Sequence, residues 1–133
     1  MSCLVVFDTN VLVSYLLPIT KITAVKIAVR QIENGGATPV FSSEIMTEYE
    51  AVLNRDKFHF PKDEVRTLLD LVLKNGLYVV PRPTTVPFTD PSDKPFYEAA
   101  LSSGAWLVTG NKRHYPDEPF LVSPREYIDL VGC

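Results

Sequence analysis

The chain has few of the residues that build disulfide scaffolds: of its 133 residues only two are cysteine. Cys3 and Cys133 stand near opposite ends and form neither a CxxC pair nor a metal-ligand spacing, which argues against a disulfide framework and a thiolate metal centre. They read as reduced bystander thiols, and a cytoplasmic location is expected. Positive charge is also not in excess. Thirteen Lys and Arg against sixteen Asp and Glu give a formal net charge of −3. That argues against a domain that grips nucleic acid by bulk charge, yet leaves nucleic acid open as a substrate of a local site. No apolar run approaches the roughly 20 residues of a membrane span. The opening MSCLVVFDTN has no basic leader and does not read as a signal peptide. GxSxG, HExxH, GxGxxG and P-loop patterns are missing, as are internal repeats and low-complexity tracts.

What is present is an ordinary globular composition, 46% hydrophobic and 22% charged. A single domain over residues 1–133 is expected, long enough to bury roughly two-thirds of its unfolded surface without staples. Short β-branched runs alternate with helical patterns. Leu4–Phe7 reads as a strand buried on both faces. Helices are expected over Val11–Leu17, Thr23 to Asn34, Glu44 to Arg55, Lys62–Lys74, Lys94–Ser103 and Pro124–Leu130. Strands are expected at Thr38–Phe41, Leu77–Val80, Trp106–Thr109 and Phe120–Val122. Pro81–Asp93 is rich in proline and reads as an extended loop, long enough to suggest a function. The alternation implies an α/β fold of three layers, α/β/α, around a parallel sheet of four to five strands. Ligands of such sheets bind beyond the carboxyl ends of the strands.

Acids gather at those ends in the sequence. Asp8 follows the first strand. Glu44 and Glu48 lie one helical turn apart after the second, and Asp90 and Asp93 close the proline-rich loop. If the ends converge, carboxylates share one pocket and repel, a conflict that Mg²⁺ or Mn²⁺ resolves by taking oxygen ligands. Such ions also activate water for phosphodiester hydrolysis. Each acid has a plainer role as well. Asp8 and Asp93 are placed to cap the helices that follow, Glu44 to complement a helix dipole, and Glu48 to be solvated. Asp90, before Pro91, reads as a turn residue. Asn10 and Thr109 read either as caps or as props behind Asp8. Lys112, Arg113 and His114 form a compact basic cluster, read either as a solvated loop or as a phosphate contact. His59, between Phe58 and Phe60, reads as a packing residue.

The opening VVFDTNVLVSYLL resembles the start of a PIN domain. FSSEIMTEYEAVL, FTDPSDKPFYEAALSSGAWLVTGNKRHYP and FLVSPREYI follow in the order and spacing of that family. The resemblance spans essentially the whole chain. It is nearest to the prokaryotic branch of toxin components of toxin–antitoxin pairs. It implies an Mg²⁺- or Mn²⁺-dependent endoribonuclease acting on single-stranded RNA, with Asp8, Glu48 and Asp93 as the catalytic metal ligands. Where the family often has a fourth acid, this chain has Asn111, which offers an amide oxygen and no charge. Lys112 and Arg113 would then hold the RNA backbone, with Asn10, Thr109 and Asp90 in support. The resemblance further implies a homodimer and an antitoxin that blocks the acidic cleft with a basic side chain. A degenerate PIN domain serving as an RNA- or protein-binding scaffold is the alternative, as is a metal-dependent phosphohydrolase of small phosphate esters.

Overall fold

The computed structural model describes residues 2–18 and 23–130. Five parallel strands form the sheet: β1 (Cys3–Phe7), β2 (Ala37–Phe41), β3 (Leu77–Tyr78), β4 (Trp106–Val108) and β5 (Leu121–Val122). Their spatial order is β3-β2-β1-β4-β5. β1 is therefore central, and Val5, Val6 and Phe7 are all fully buried, the reason its sequence is a continuous apolar run rather than an alternating one.

Helix α2 (Ala24–Arg30) packs on α1 (Thr9–Leu16) and α6 (Pro124–Leu130), and α3 (Ser43–Leu53) packs on α1, α4 (Lys62–Asn75) and α5 (Lys94–Ser103). With the sheet they make the three layers of an α/β/α fold. The caps are local. Ser42 Oγ accepts from the Ile45 amide at 3.2 Å, and Thr23 Oγ1 from the Lys26 amide at 3.3 Å. α4 buries Val65, Leu68, Leu69 and Val72, spaced at three and four, against the sheet layer. Gly104, at φ 74°, ends α5 in the left-handed conformation.

Some expectations are corrected. The second helix ends at Arg30, and residues 31–35 turn instead, although Ile32 stays buried. β3 is only two residues long and exposed, as an edge strand allows. His59 is not packed. It is exposed at φ 52°, closing a 3₁₀ turn, while Phe58 and Phe60 stack on each other at 5.2 Å. The reading of the two cysteines turns on Cys133, which lies outside the described residues.

The proline-rich loop is tied to α5 along its length. The Arg82 amide donates to Ser102 Oγ at 3.0 Å, and the Thr84 amide to Glu98 Oε2 at 2.7 Å. Its Phe88 packs edge-on against Tyr97 and Tyr115. No helix among the described residues is long and apolar enough to cross a membrane.

Candidate active site

The strand order reverses direction at β1 and β4, and the crevice beyond their carboxyl ends is the expected ligand position. The register pairs Phe7 with Val108, and the Asp8 amide continues the ladder to Val108 O at 2.9 Å. The next residue of each strand, Asp8 and Thr109, is thereby brought side by side.

Asp8 is buried, and its side chain does not cap α1. Its Oδ2 instead accepts from Thr109 Oγ1 at 2.8 Å, Tyr115 OH at 3.0 Å and Asn10 Nδ2 at 3.3 Å. The turn after β4 fixes these donors. Asn10 Oδ1 accepts from the Gly110 amide at 3.1 Å, and Thr109 Oγ1 accepts from the Asn111 amide at 3.0 Å. Burial nevertheless raises the Asp8 carboxyl above its ordinary range, against the lowering effect of the Thr109 and Tyr115 hydroxyls.

Asp93 ends a 3₁₀ turn, Pro91–Asp93, at the mouth of α5, and its side chain caps nothing. That turn is capped by Asp90, whose Oδ1 accepts from Ser92 N at 3.0 Å and Ser92 Oγ at 2.8 Å. These bonds hold exposed Asp90 below the ordinary carboxylate range. Asp93 is pushed up to about 6, first by burial and then by the charges of Asp8 and Asp90, with His114 opposing and Glu48 adding to the rise. Its Oδ2 is buried and accepts no hydrogen bond, although His114 Nδ1 stands 3.4 Å away.

Glu48, half-buried on α3, stands close enough for its charge to reach Asp93. Glu44 is exposed in the first turn of the same helix. Asn111, Lys112 and Arg113 are exposed, and a cleft of about 560 Å³ is lined by residues 109–114 and Ser123. Lys112 Nζ is engaged with Glu126 Oε1 at 2.9 Å.

A divalent cation suits this donor set in chemistry. Two buried carboxylates are both driven toward protonation, and one buried oxygen is left without a donor. The set is not closed, however: among the described residues no three acidic, histidine or cysteine side chains stand together as a ready metal-ligand group. Two tyrosines at the site carry no mark in the sequence. Tyr115 reaches Asp8, and Tyr49 donates its hydroxyl to the carbonyl of Phe7, the residue before Asp8. Their signal is generic, since a buried tyrosine requires a partner for its hydroxyl.

The site is thus a parallel α/β sheet with two buried acids, Asp8 and Asp93, beyond its switch point. The family model described as PIN domain matches residues 4–113, and the chain belongs to that family. In fold it is similar to a chain of VapBC2 from Rickettsia felis, solved bound to a DNA fragment from their promoter. The TM-score is 0.54 at 17% sequence identity, over 90% of this chain and 96% of that one. Comparison with curated proteins gave no match.

Proposed function

We propose that the chain is a single-domain endoribonuclease that cleaves single-stranded RNA with Mg²⁺ or Mn²⁺, and that it is the toxin of a toxin–antitoxin pair acting in the cytoplasm. The observation that carries this reading is the pair of buried carboxylates, Asp8 and Asp93, at the switch point of a PIN-family sheet. Asp8, Asp93 and Glu48 would hold the cation, with the Asn111 amide oxygen at its margin. When bound, a divalent ion supplies an acidified water and screens charge developing on the phosphodiester oxygens. The protein's own residues do the rest. Thr109 and Asn10 hold Asp8 in place, and His114 faces Asp93. Exposed Arg113 lines the cleft and would meet an RNA phosphate there, and Lys112 would meet it from its pairing with Glu126.

The fold likeness to VapBC2 supports an antitoxin as partner, and the toxin branch that the sequence resembles supports a homodimer. A cleft of carboxylates suits an inserted Lys or Arg from such an antitoxin.

Asp8→Asn tests the reading. Metal-dependent cleavage of single-stranded RNA should be abolished with the fold intact, and undiminished cleavage in a preparation free of contaminating nuclease would overturn it. Asn111 in place of a fourth acid and the open ligand set favour one second reading, a degenerate PIN domain that binds RNA or protein as a scaffold. Calorimetry showing no Mn²⁺ binding to the intact chain would select it.

A further inference from the structure

We propose that Tyr115 is a positioning residue for Asp8: its hydroxyl, with that of Thr109, occupies Oδ2 and turns Oδ1 toward the incoming cation. The inference rests on the reading of Asp8 as a cation ligand.

All three side-chain donors around Asp8 address the same oxygen. The Thr109 proton has little choice of direction. Its Oγ1 accepts from the Asn111 amide at 3.0 Å and from Asn10 Nδ2 at 3.5 Å, so the proton is left for Asp8 at 2.8 Å. Tyr115 has one proton to give, and it goes to Oδ2 at 3.0 Å. An oxygen with three donors has spent its lone pairs, and a cation must use the other one.

The ring that carries this hydroxyl is held from below. Phe88 meets Tyr115 edge-on at 6.0 Å and Tyr97 at 5.5 Å, and Tyr97 leans on Phe120 at 5.9 Å. Phe88 belongs to the same proline-rich loop that delivers Asp93. The neighbours His114 and Tyr115 therefore divide the two acids between them: the imidazole faces Asp93 and the phenol faces Asp8. Tyr115 also lies just beyond the stretch matched by the family model, which ends at residue 113.

Tyr115→Phe removes only the hydroxyl and keeps the ring. Calorimetric titration of the intact chain with Mn²⁺ should show affinity weakened by about tenfold or more, the usual effect of deleting a partner of a metal ligand. The thermal midpoint of the metal-free variant should stay close to that of the parent, and excess Mn²⁺ should recover part of any missing RNA cleavage. Unchanged Mn²⁺ affinity would overturn the proposal. So would loss of the fold, because Tyr115 would then be structural. An Asp8→Asn arm separates the two levels. If Asp8→Asn binds Mn²⁺ like the parent, or the parent binds none, the reading of Asp8 as a ligand fails and takes the proposal with it. If Asp8→Asn abolishes binding while Tyr115→Phe leaves it intact, only the positioning role fails.

Discussion

His114 Nδ1 lies 3.4 Å from Asp93 Oδ2, an oxygen that is buried and accepts no hydrogen bond. The contact is a charge pair only while the imidazole is protonated. The carboxylate it faces is raised to about 6 by burial and by the charges of Asp8 and Asp90. Stability should therefore depend on pH in a definite direction.

A raised carboxyl means that the fold prefers the neutral acid. Its contribution is full below the ordinary value of 3.8 and is lost as pH rises through about 6. Asp8 is shifted in the same direction. In chelator, the protein should lose stability between roughly pH 4 and pH 6 on account of these acids. Asp93→Asn, neutral throughout, should flatten that slope and melt higher at pH 7, by about 1 kcal/mol or some 3–5 °C. Mn²⁺ should raise the midpoint of the parent more than that of the variant. Thermal scans from pH 4 to pH 8 check this, and identical slopes for the two proteins would contradict it.

Tyr49, 1% exposed on α3, donates to the Phe7 carbonyl at the end of β1. Tyr49→Phe deletes this buried bond while keeping the ring against Phe96. Removing one partner of a buried pair costs about 1–3 kcal/mol. The urea midpoint should fall accordingly with the slope of the transition unchanged. An unmoved midpoint would show that the bond contributes nothing.

The fold is legible in the sequence where burial or a cap leaves a pattern. Leu4–Phe7 is a continuous apolar run because β1 has sheet neighbours on both edges and helices on both faces. Ser42 and the three-and-four spacing of α4 announce their helices in the same way. Periodicity alone carries the second helix past its end at Arg30, because buried Ile32 keeps the apolar period after the backbone has turned. The acids are legible one at a time, as residues leaving strands. Their partners are not. Asp8 meets Thr109 and Tyr115 only through the register of β1 on β4, across 101 and 107 residues of chain. A residue type at one position carries no record of that pairing.

Two glycines separate steric from conformational need. Gly76 has φ −94°, ordinary for any residue, but a Cβ there would collide with the Val72 carbonyl oxygen and lie 2.6 Å from that of Pro39. Both are backbone atoms and cannot swing aside. Gly104, at φ 74°, has nothing within 4 Å of a built Cβ. Gly76→Ala should cost about 2–4 kcal/mol through displaced backbone. Gly104→Ala should cost about 1 kcal/mol through the left-handed conformation alone. Equilibrium unfolding of the two variants checks the ranking, and the reverse order would refute it.

The basic cluster should act unevenly on RNA. Lys112 Nζ sits 2.9 Å from Glu126 Oε1, which also accepts the Ser123 amide at 2.9 Å. The Ser123 amide first, and Lys112 with it, hold the Glu126 carboxyl below its ordinary range, so it stays charged and keeps competing for the lysine. Arg113 is exposed beside the same cleft. In an Asp8→Asn background that does not cut, Arg113→Ala should weaken binding of single-stranded RNA and lower the log–log salt slope by roughly 0.7, the value for a single phosphate neutralised on a single strand. Lys112→Ala should do less, because part of its charge is already answered. Glu126→Gln should tighten binding by releasing Lys112 to the phosphate backbone. Fluorescence anisotropy across a salt series reads all three variants. If Lys112→Ala proves the more damaging, or Glu126→Gln leaves binding unchanged, the pair with Glu126 does not restrain the lysine and the cleft is read from the wrong side chain.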